Sequence, residues 1–275
     1  MESSKKIAIE ELVDSMFYSF AEWFRQRHLS DVDNPNWPIN KKKNNVFIAE
    51  LWPEFVMYSA LVRSFDSSLW NLLEKLWRSI WKLSYDVNWT IKSYLLKAQE
   101  DKIEEIVNAY STSARNRIIP SVSHYDTYSA IIPKNIESFR REHETDHYFY
   151  NRRTKTHYII ELKAWWDLDV KKAPSEKKQL LNEYFMLKNK LIQDWKEDED
   201  VKLYFATAYN KDWEWHYRDQ ASVRSCFADN ELLIWKDYRN FICDDVDWFD
   251  IIINQYKKSA KYIKEALQEI IKQYS

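Results

Sequence analysis

Glycine is missing from this sequence of 275 residues, although average usage of about 7% would give roughly 19. Tryptophan, normally scarce, occurs 14 times. Some of the tryptophans follow Asn or Asp, where glycine usually stands in a turn, namely Trp37, Trp89, Trp213 and Trp248. We interpret them as occupying glycine positions of a parent sequence, so that turns requiring a positive φ carry a bulky side chain. The alternative is that all 14 tryptophans have ordinary packing and stacking roles.

Long apolar runs, a signal peptide and metal-type cysteine spacing are also lacking. No stretch is apolar enough to span a bilayer, and the N-terminus leads into an amphipathic run. Cys226 and Cys243 show neither zinc-site spacing nor a disulfide framework. The formal net charge of -2 gives no global basic field. The sequence therefore argues against a membrane protein, a zinc module and a disulfide scaffold, and we expect a cytoplasmic protein.

The composition is that of a globular protein, with 45% hydrophobic and 31% charged residues. The length suits one large domain or two small ones, and no linker or internal repeat is visible. We predict a single domain over residues 1–275. It would consist of a helical N-terminal part at 1–112, a catalytic core at 135–210 and a helical C-terminal part at 220–275.

A hairpin pattern lies near the middle of the chain. Residues 147–150 and 156–162 are rich in β-branched and aromatic side chains and flank a short polar segment. Asp146 is predicted to open the first strand, while Glu161 and Lys163 close the second. Because side chains alternate along a strand, the last two point to the same side. The hairpin would thus bring two carboxylates and one ammonium together.

This combination of groups is that of metal-dependent phosphodiester hydrolysis. Carboxylate oxygens hold Mg²⁺, and the metal lowers the pKa of a bound water. Lys163 would orient that water or stabilise the transition state. An acid two residues before a lysine is a weak signal by itself, and an exposed surface ion pair is the alternative. The same spacing begins at Glu100, Asp169, Glu176, Asp194 and Asp200, but only Glu161 ends a run of strand formers.

Helical patterns flank the hairpin. Apolar residues at helical spacing predict a helix over residues 5–27, and another that Asp66 or Ser67 would cap. Glu74 lies near the edge of the apolar stripe of the second helix, where pairing with Arg78 is an ordinary alternative. A further helix is predicted at 175–192.

A strand beginning at Val201 follows the 175–192 helix. Pro174 precedes that helix and Ser175 would cap it. Two strands of one sheet that are joined by a crossover helix run parallel, so we expect the strand at Val201 to be parallel to the one with Glu161. The loop after it, with His216, would lie at the carboxyl edge of the sheet, where α/β proteins bind ligands.

The order of these elements resembles the core of the PD-(D/E)xK nuclease superfamily. The blocks at 68–74, 161–169 and 204–211 look like those of type II restriction endonucleases, and the likeness improves when Trp is read as Gly. Within that class the chain resembles the TdeIII-like group, which would imply a GGNCC-type site. The resemblance implies an α/β fold with a mixed β-sheet flanked by helices. It also implies Asp146 and Glu161 as metal ligands, Lys163 as the water-orienting residue and Glu74 as an auxiliary acid.

The resemblance further implies Mg²⁺-dependent hydrolysis of double-stranded DNA at a short palindromic site, as part of restriction-modification defence. Palindromic sites are normally recognised by two-fold dimers, so we expect a homodimer. Two alternatives remain open. One is a repair or resolvase nuclease of the same superfamily, which would recognise DNA structure. The other is a non-catalytic DNA-binding protein in which Asp146, Glu161 and Lys163 form only a surface ion network.

Overall fold

A computed structural model describes most of the chain, at residues 3–30, 34, 36, 41, 50, 53–111, 118–126, 139–163, 171–208, 221–244 and 248–274. The chain divides into two compact units. We call Met1–Leu83 with Val246–Ser275 the helical unit, and Ser84–Asp245 the sheet unit. The predicted single domain over residues 1–275 stays a prediction.

The described residues form eight α-helices: α1 (Ser3–Ser30), α2 (Pro53–Trp81), α3 (Lys97–Ser111), α4 (Ser123–Asp126), α5 (Lys172–Gln193), α6 (Ala221–Arg224), α7 (Lys236–Cys243) and α8 (Trp248–Tyr274). The same residues form five strands: β1 (Asp86–Leu95), β2 (Phe139–Asn151), β3 (Thr156–Lys163), β4 (Asp200–Thr207) and β5 (Leu232–Ile234). In the part of the chain described, no helix is long and apolar enough to cross a membrane.

In the helical unit, α1 packs against α8 and α2. Its buried residues recur at helical spacing, as the sequence predicted, and include Ile9, Val13, Phe17 and Phe24. Helix α2 is longer than the predicted helix that Asp66 or Ser67 would cap. It begins at Pro53, where a missing N–H removes no helical bond, and continues through Asp66. The predicted helix start at Asp66 or Ser67 is therefore wrong, because an apolar face continues across it.

The sheet unit contains one five-stranded mixed sheet in the order β1-β2-β3-β4-β5. Strands β1 to β3 are antiparallel, whereas β3, β4 and β5 are parallel. Helix α5 connects β3 to β4, as predicted, and its apolar face is buried against the sheet. The shared core includes Ile91, Ile159, Leu180, Phe185 and Phe205. The predicted fold class, a mixed sheet flanked by helices, is confirmed.

Two element boundaries in the sheet unit differ from the predictions. Strand β2 begins at Phe139, so Asp146 lies well inside it and does not open it. The strand extends further because it pairs with β1, which the sequence analysis missed. Helix α5 begins at Lys172, and the residue before it makes no side-chain cap. Pro174 is accommodated in the first turn, where N–H groups have no helical partner.

In the part of the chain that the structure describes, two tryptophans adopt a positive φ, which is rare for a bulky residue. Trp195 has φ 57° and Trp235 has φ 51°. Trp195 follows the end of α5, where its N–H donates to the Ile192 carbonyl at 3.3 Å and the Lys196 N–H donates to the Leu191 carbonyl at 2.8 Å. These bonds form a Schellman motif, whose left-handed residue is usually glycine. The backbone at these two sites supports the glycine-position interpretation.

Other tryptophans have ordinary structural roles. Trp77 and Trp81 are buried on α2, and Trp248 is buried at the start of α8 with the Lys5 ammonium 5.3 Å from its ring centre. The interpretation of Trp248 as a turn residue is therefore wrong. Trp37 and Trp213 lie outside the described residues.

We expect Trp195→Gly to stabilise the protein by about 1 kcal/mol, because a left-handed conformation costs an L-residue roughly 1–2 kcal/mol that glycine avoids. Urea unfolding would measure the change. Trp195→Ala is the matched control, since it removes the exposed ring but keeps Cβ. Equal stabilisation by both variants would show that the ring, and not the positive φ, is the source of the penalty.

Candidate active site

The carboxyl ends of three parallel strands meet at one edge of the sheet. Lys163 at the end of β3 pairs with Thr207 of β4, which pairs with Ile234 of β5. The pairing of β3 and β4 continues one residue beyond β4, where the Ala208 N–H donates to the Lys163 carbonyl at 3.1 Å. Open α/β sheets bind their ligands outside this edge. Two of the functional residues predicted from the sequence, Glu161 and Lys163, lie at this end of β3.

Two carboxylates surround the Lys163 ammonium. Glu161, two residues earlier on the same strand, accepts a hydrogen bond from Lys163 Nζ. Glu176 Oε1, on α5, lies 3.0 Å from the same nitrogen. Glu161 is buried, and the side chains of Lys163 and Glu176 are 31% and 17% exposed. The predicted same-side arrangement of Glu161 and Lys163 is thus present.

Lys163 remains charged at this position. Burial acts to lower its pKa, but the adjacent carboxylates of Glu161 and Glu176 outweigh that effect and raise the pKa above its ordinary value. An ammonium with a raised pKa is a hydrogen-bond donor and not a general base at neutral pH. The group is therefore suited to stabilise negative charge on a phosphate.

Glu176 was not assigned to the site from the sequence, where it was only one of several acids that precede a lysine by two residues. The predicted topology could have indicated that Glu176 lies near the site. Helix α5 starts near the carboxyl edge of β3 because it is the crossover to β4. Acids near the start of such a helix lie close to the strand ends, and Glu176 is in the second turn of α5.

The other predicted site residues have different positions. Asp146 lies on β2 next to His147, whose pairing partner Ile160 precedes Glu161 on β3. Asp146 and Glu161 are thus on neighbouring strands, at nearly the same position along the strand direction. The Asp146 side chain lies outside what the structure describes. Glu74 is half-buried on α2, in the helical unit. His216 lies outside the described residues.

The donor set fits a hard divalent cation. Glu161 and Glu176 face one ammonium, so the three groups carry a formal charge of -1 (two carboxylates against one lysine). Oxygen ligands of this kind are those that Mg²⁺ prefers. Within the described part of the chain, no three His, Cys, Asp or Glu side chains cluster as a metal site. A complete ligand set would therefore need a further acid, for which Asp146 on the neighbouring strand β2 is a candidate.

A buried ion pair anchors the helix that carries Glu176. The next residue, Lys177, is fully buried, and its Nζ lies 2.5 Å from Glu231 Oε1. The Tyr125 hydroxyl donates to the same oxygen, and the Ala228 N–H donates to Oε2 at 2.8 Å. Burial lowers the pKa of Lys177, while Glu231 acts in the opposite direction. The pair fixes the start of α5 relative to the segment that leads into β5.

Comparison with known proteins identifies one protein family. The family described as type II restriction endonuclease, HinfI, matches residues 6–260, which is nearly the whole chain. No curated protein and no solved structure matches.

We expect Lys177→Met to destabilise the sheet unit by about 3–5 kcal/mol, because it leaves the Glu231 carboxylate buried without its cation. Adding Glu231→Gln should recover part of that loss, since the amide oxygen still accepts a bond from Tyr125 and carries no charge. A urea-unfolding double-mutant cycle would measure the coupling. Strictly additive losses would mean that the two side chains do not act as a pair.

Proposed function

Because this chain belongs to the HinfI family of type II restriction endonucleases, we propose that it cleaves DNA at the carboxyl edge of the sheet unit. Family membership makes the chain a site-specific endonuclease of a restriction-modification system, and hence a phosphodiester hydrolase. The observation that carries the proposed location is the Lys163 ammonium between Glu161 and Glu176. A family match of this kind favours sequence-specific cleavage over a repair nuclease or a non-catalytic DNA-binding protein.

The proposed cofactor is Mg²⁺, with Glu161, Asp146 and Glu176 as its protein ligands. When bound, the metal would supply a water of lowered pKa and positive charge beside the phosphate. Glu161 is held in place by the strand and by its bond to Lys163. Lys163 would donate a hydrogen bond to a phosphate oxygen or to the attacking water, which its raised pKa supports. This assignment agrees with a PD-(D/E)xK site.

Three finer features are also proposals. Recognition of a palindromic site would need two copies of the chain related by a two-fold axis, so we propose a homodimer. A cytoplasmic location is the one in which a restriction enzyme meets incoming DNA. The resemblance to TdeIII-like enzymes, with a GGNCC-type site, stays a prediction that end mapping of the cleaved DNA would test.

Loss of a charged group at the site should abolish cleavage with little effect on DNA binding. We expect Lys163→Ala, Glu161→Gln and Asp146→Asn each to slow cleavage of duplex DNA by at least about 10²-fold, the usual effect of removing one stabilising group. Gel assays with Mg²⁺ would measure this. Lys202→Ala is the matched control, because Lys202 follows Asp200 at the same spacing but is exposed on β4. Unaltered cleavage by Lys163→Ala would overturn its role.

A second comparison separates the two candidate auxiliary acids. If Glu176 is a ligand, Glu176→Gln should weaken binding of Ca²⁺, used as a Mg²⁺ substitute, by roughly tenfold or more. Glu74→Gln should have no such effect. Isothermal titration calorimetry on the DNA-bound protein gives this measure independently of cleavage. The reverse pattern would assign the auxiliary position to Glu74, as the sequence analysis predicted.

A further inference from the structure

The helical unit contains an open groove between α1 and α2, with a volume of about 630 Å³. This lies within the range of roughly 300–1,000 Å³ that is usual for ligand sites. All of its lining residues belong to the helical unit. The block at 68–74 contributes Ser68, Asn71 and Leu72 to the lining, whereas Glu161, Lys163 and Glu176 of the candidate active site do not line it.

The charged side chains that line the groove all carry the same sign. Among the described residues, Arg27 from α1 and Lys75 from α2 are the two charged residues that line it, and neither Asp nor Glu does. Both cations are exposed. Such a surface attracts anions.

Two acids of α1, Asp14 and Glu22, have partners outside the groove lining. Asp14 accepts a hydrogen bond from the Ser259 hydroxyl of α8 at 2.7 Å. Glu22 pairs with Arg25 at 2.8 Å, and Arg25 also bonds to Glu269 of α8. Asp14 contacts α8 directly and Glu22 is linked to it through Arg25, whereas Arg27 lines the groove. Neither of these two acids offsets the positive charge of the lining.

Uncharged donors complete the lining. Ser19 on α1 and Ser67 and Asn71 on α2 present hydroxyl and amide groups, which commonly contact phosphate oxygens. Trp23 forms an apolar wall, 46% exposed, with the Arg27 guanidinium 5.2 Å from its ring centre. Cations, hydroxyls and one exposed aromatic ring suit a chain of phosphates and sugars.

We propose that this groove binds the phosphodiester backbone of DNA, as a contact separate from the cleavage site. The proposal rests on the DNA-cleaving function of the family. In it, Arg27 and Lys75 neutralise backbone phosphates, Ser19, Ser67 and Asn71 donate hydrogen bonds, and Trp23 packs against the deoxyribose. The contact carries no sequence information, so it adds affinity and fixes the orientation of the duplex.

The test measures DNA binding without divalent cations, so that cleavage does not intervene. The double variant Arg27→Gln/Lys75→Gln is compared with Lys257→Gln/Lys258→Gln, which removes two exposed charges from α8 of the same unit. Fluorescence anisotropy with a labelled duplex gives Kd over a series of salt concentrations. Thermal melting of both variants checks that each remains folded.

We expect the groove variant to bind roughly tenfold or more weakly than the control, and the slope of log K against log salt to fall by about 2, since each lost phosphate contact removes roughly 0.9. Identical Kd values and slopes for the two variants would overturn the proposal. Failure of the wild-type chain both to bind and to cleave duplex DNA would instead overturn the proposed function together with this contact.

Titration with a deoxynucleoside monophosphate tests whether the groove binds free nucleotides, which present the same phosphate and sugar groups as DNA. If the groove serves free nucleotides, the mononucleotide will raise the Tm of the wild type but not of the groove variant, while DNA affinity is the same in both. That result would overturn the assignment to DNA. A mononucleotide without effect on Tm, together with the loss of DNA affinity, supports it.

Discussion

The buried pair of Lys177 and Glu231 is the interaction on which the geometry of the sheet unit depends. A charge without a partner in a protein interior is strongly destabilising, and here Glu231 accepts bonds from an ammonium, a hydroxyl and a backbone N–H. Because Glu176 is adjacent to Lys177, the same pair determines the rotation of α5 that turns Glu176 towards Lys163. One buried contact thus links the packing of a helix to the charge balance of the candidate site.

Local sequence patterns were sufficient for the elements nearest the site. Alternating apolar and aromatic residues identified the hairpin, and a proline followed by a helical period identified α5. The β3–α5–β4 unit followed from topology, because parallel neighbours need a crossover. Glu161 and Lys163 could be chosen among several identical spacings because only they end a strand.

Features that depend on distant pairing were not predictable from the sequence. Strand β1 and the first half of β2 stabilise each other by pairing, and neither has a strong period by itself. Strand β5 has only three residues and lies between short helices. Glu176 reaches Lys163 because α5 packs against the sheet. The spacing of residues along the sequence does not indicate this contact. The continuity of α2 past Asp66 likewise reflects tertiary packing that overrides a local capping preference.

The exposed Trp195 has a consequence for spectroscopy. Its side chain is 90% exposed in the sheet unit, whereas Trp77 and Trp81 in the helical unit are 1% and 0% exposed. Indoles in water emit at longer wavelength and are quenched by iodide. Shielded indoles emit at shorter wavelength and are protected from iodide. Unfolding of the helical unit therefore transfers the shielded indoles of Trp77 and Trp81 to water and shifts their emission to longer wavelength, whereas Trp195 is already in water and its emission changes little.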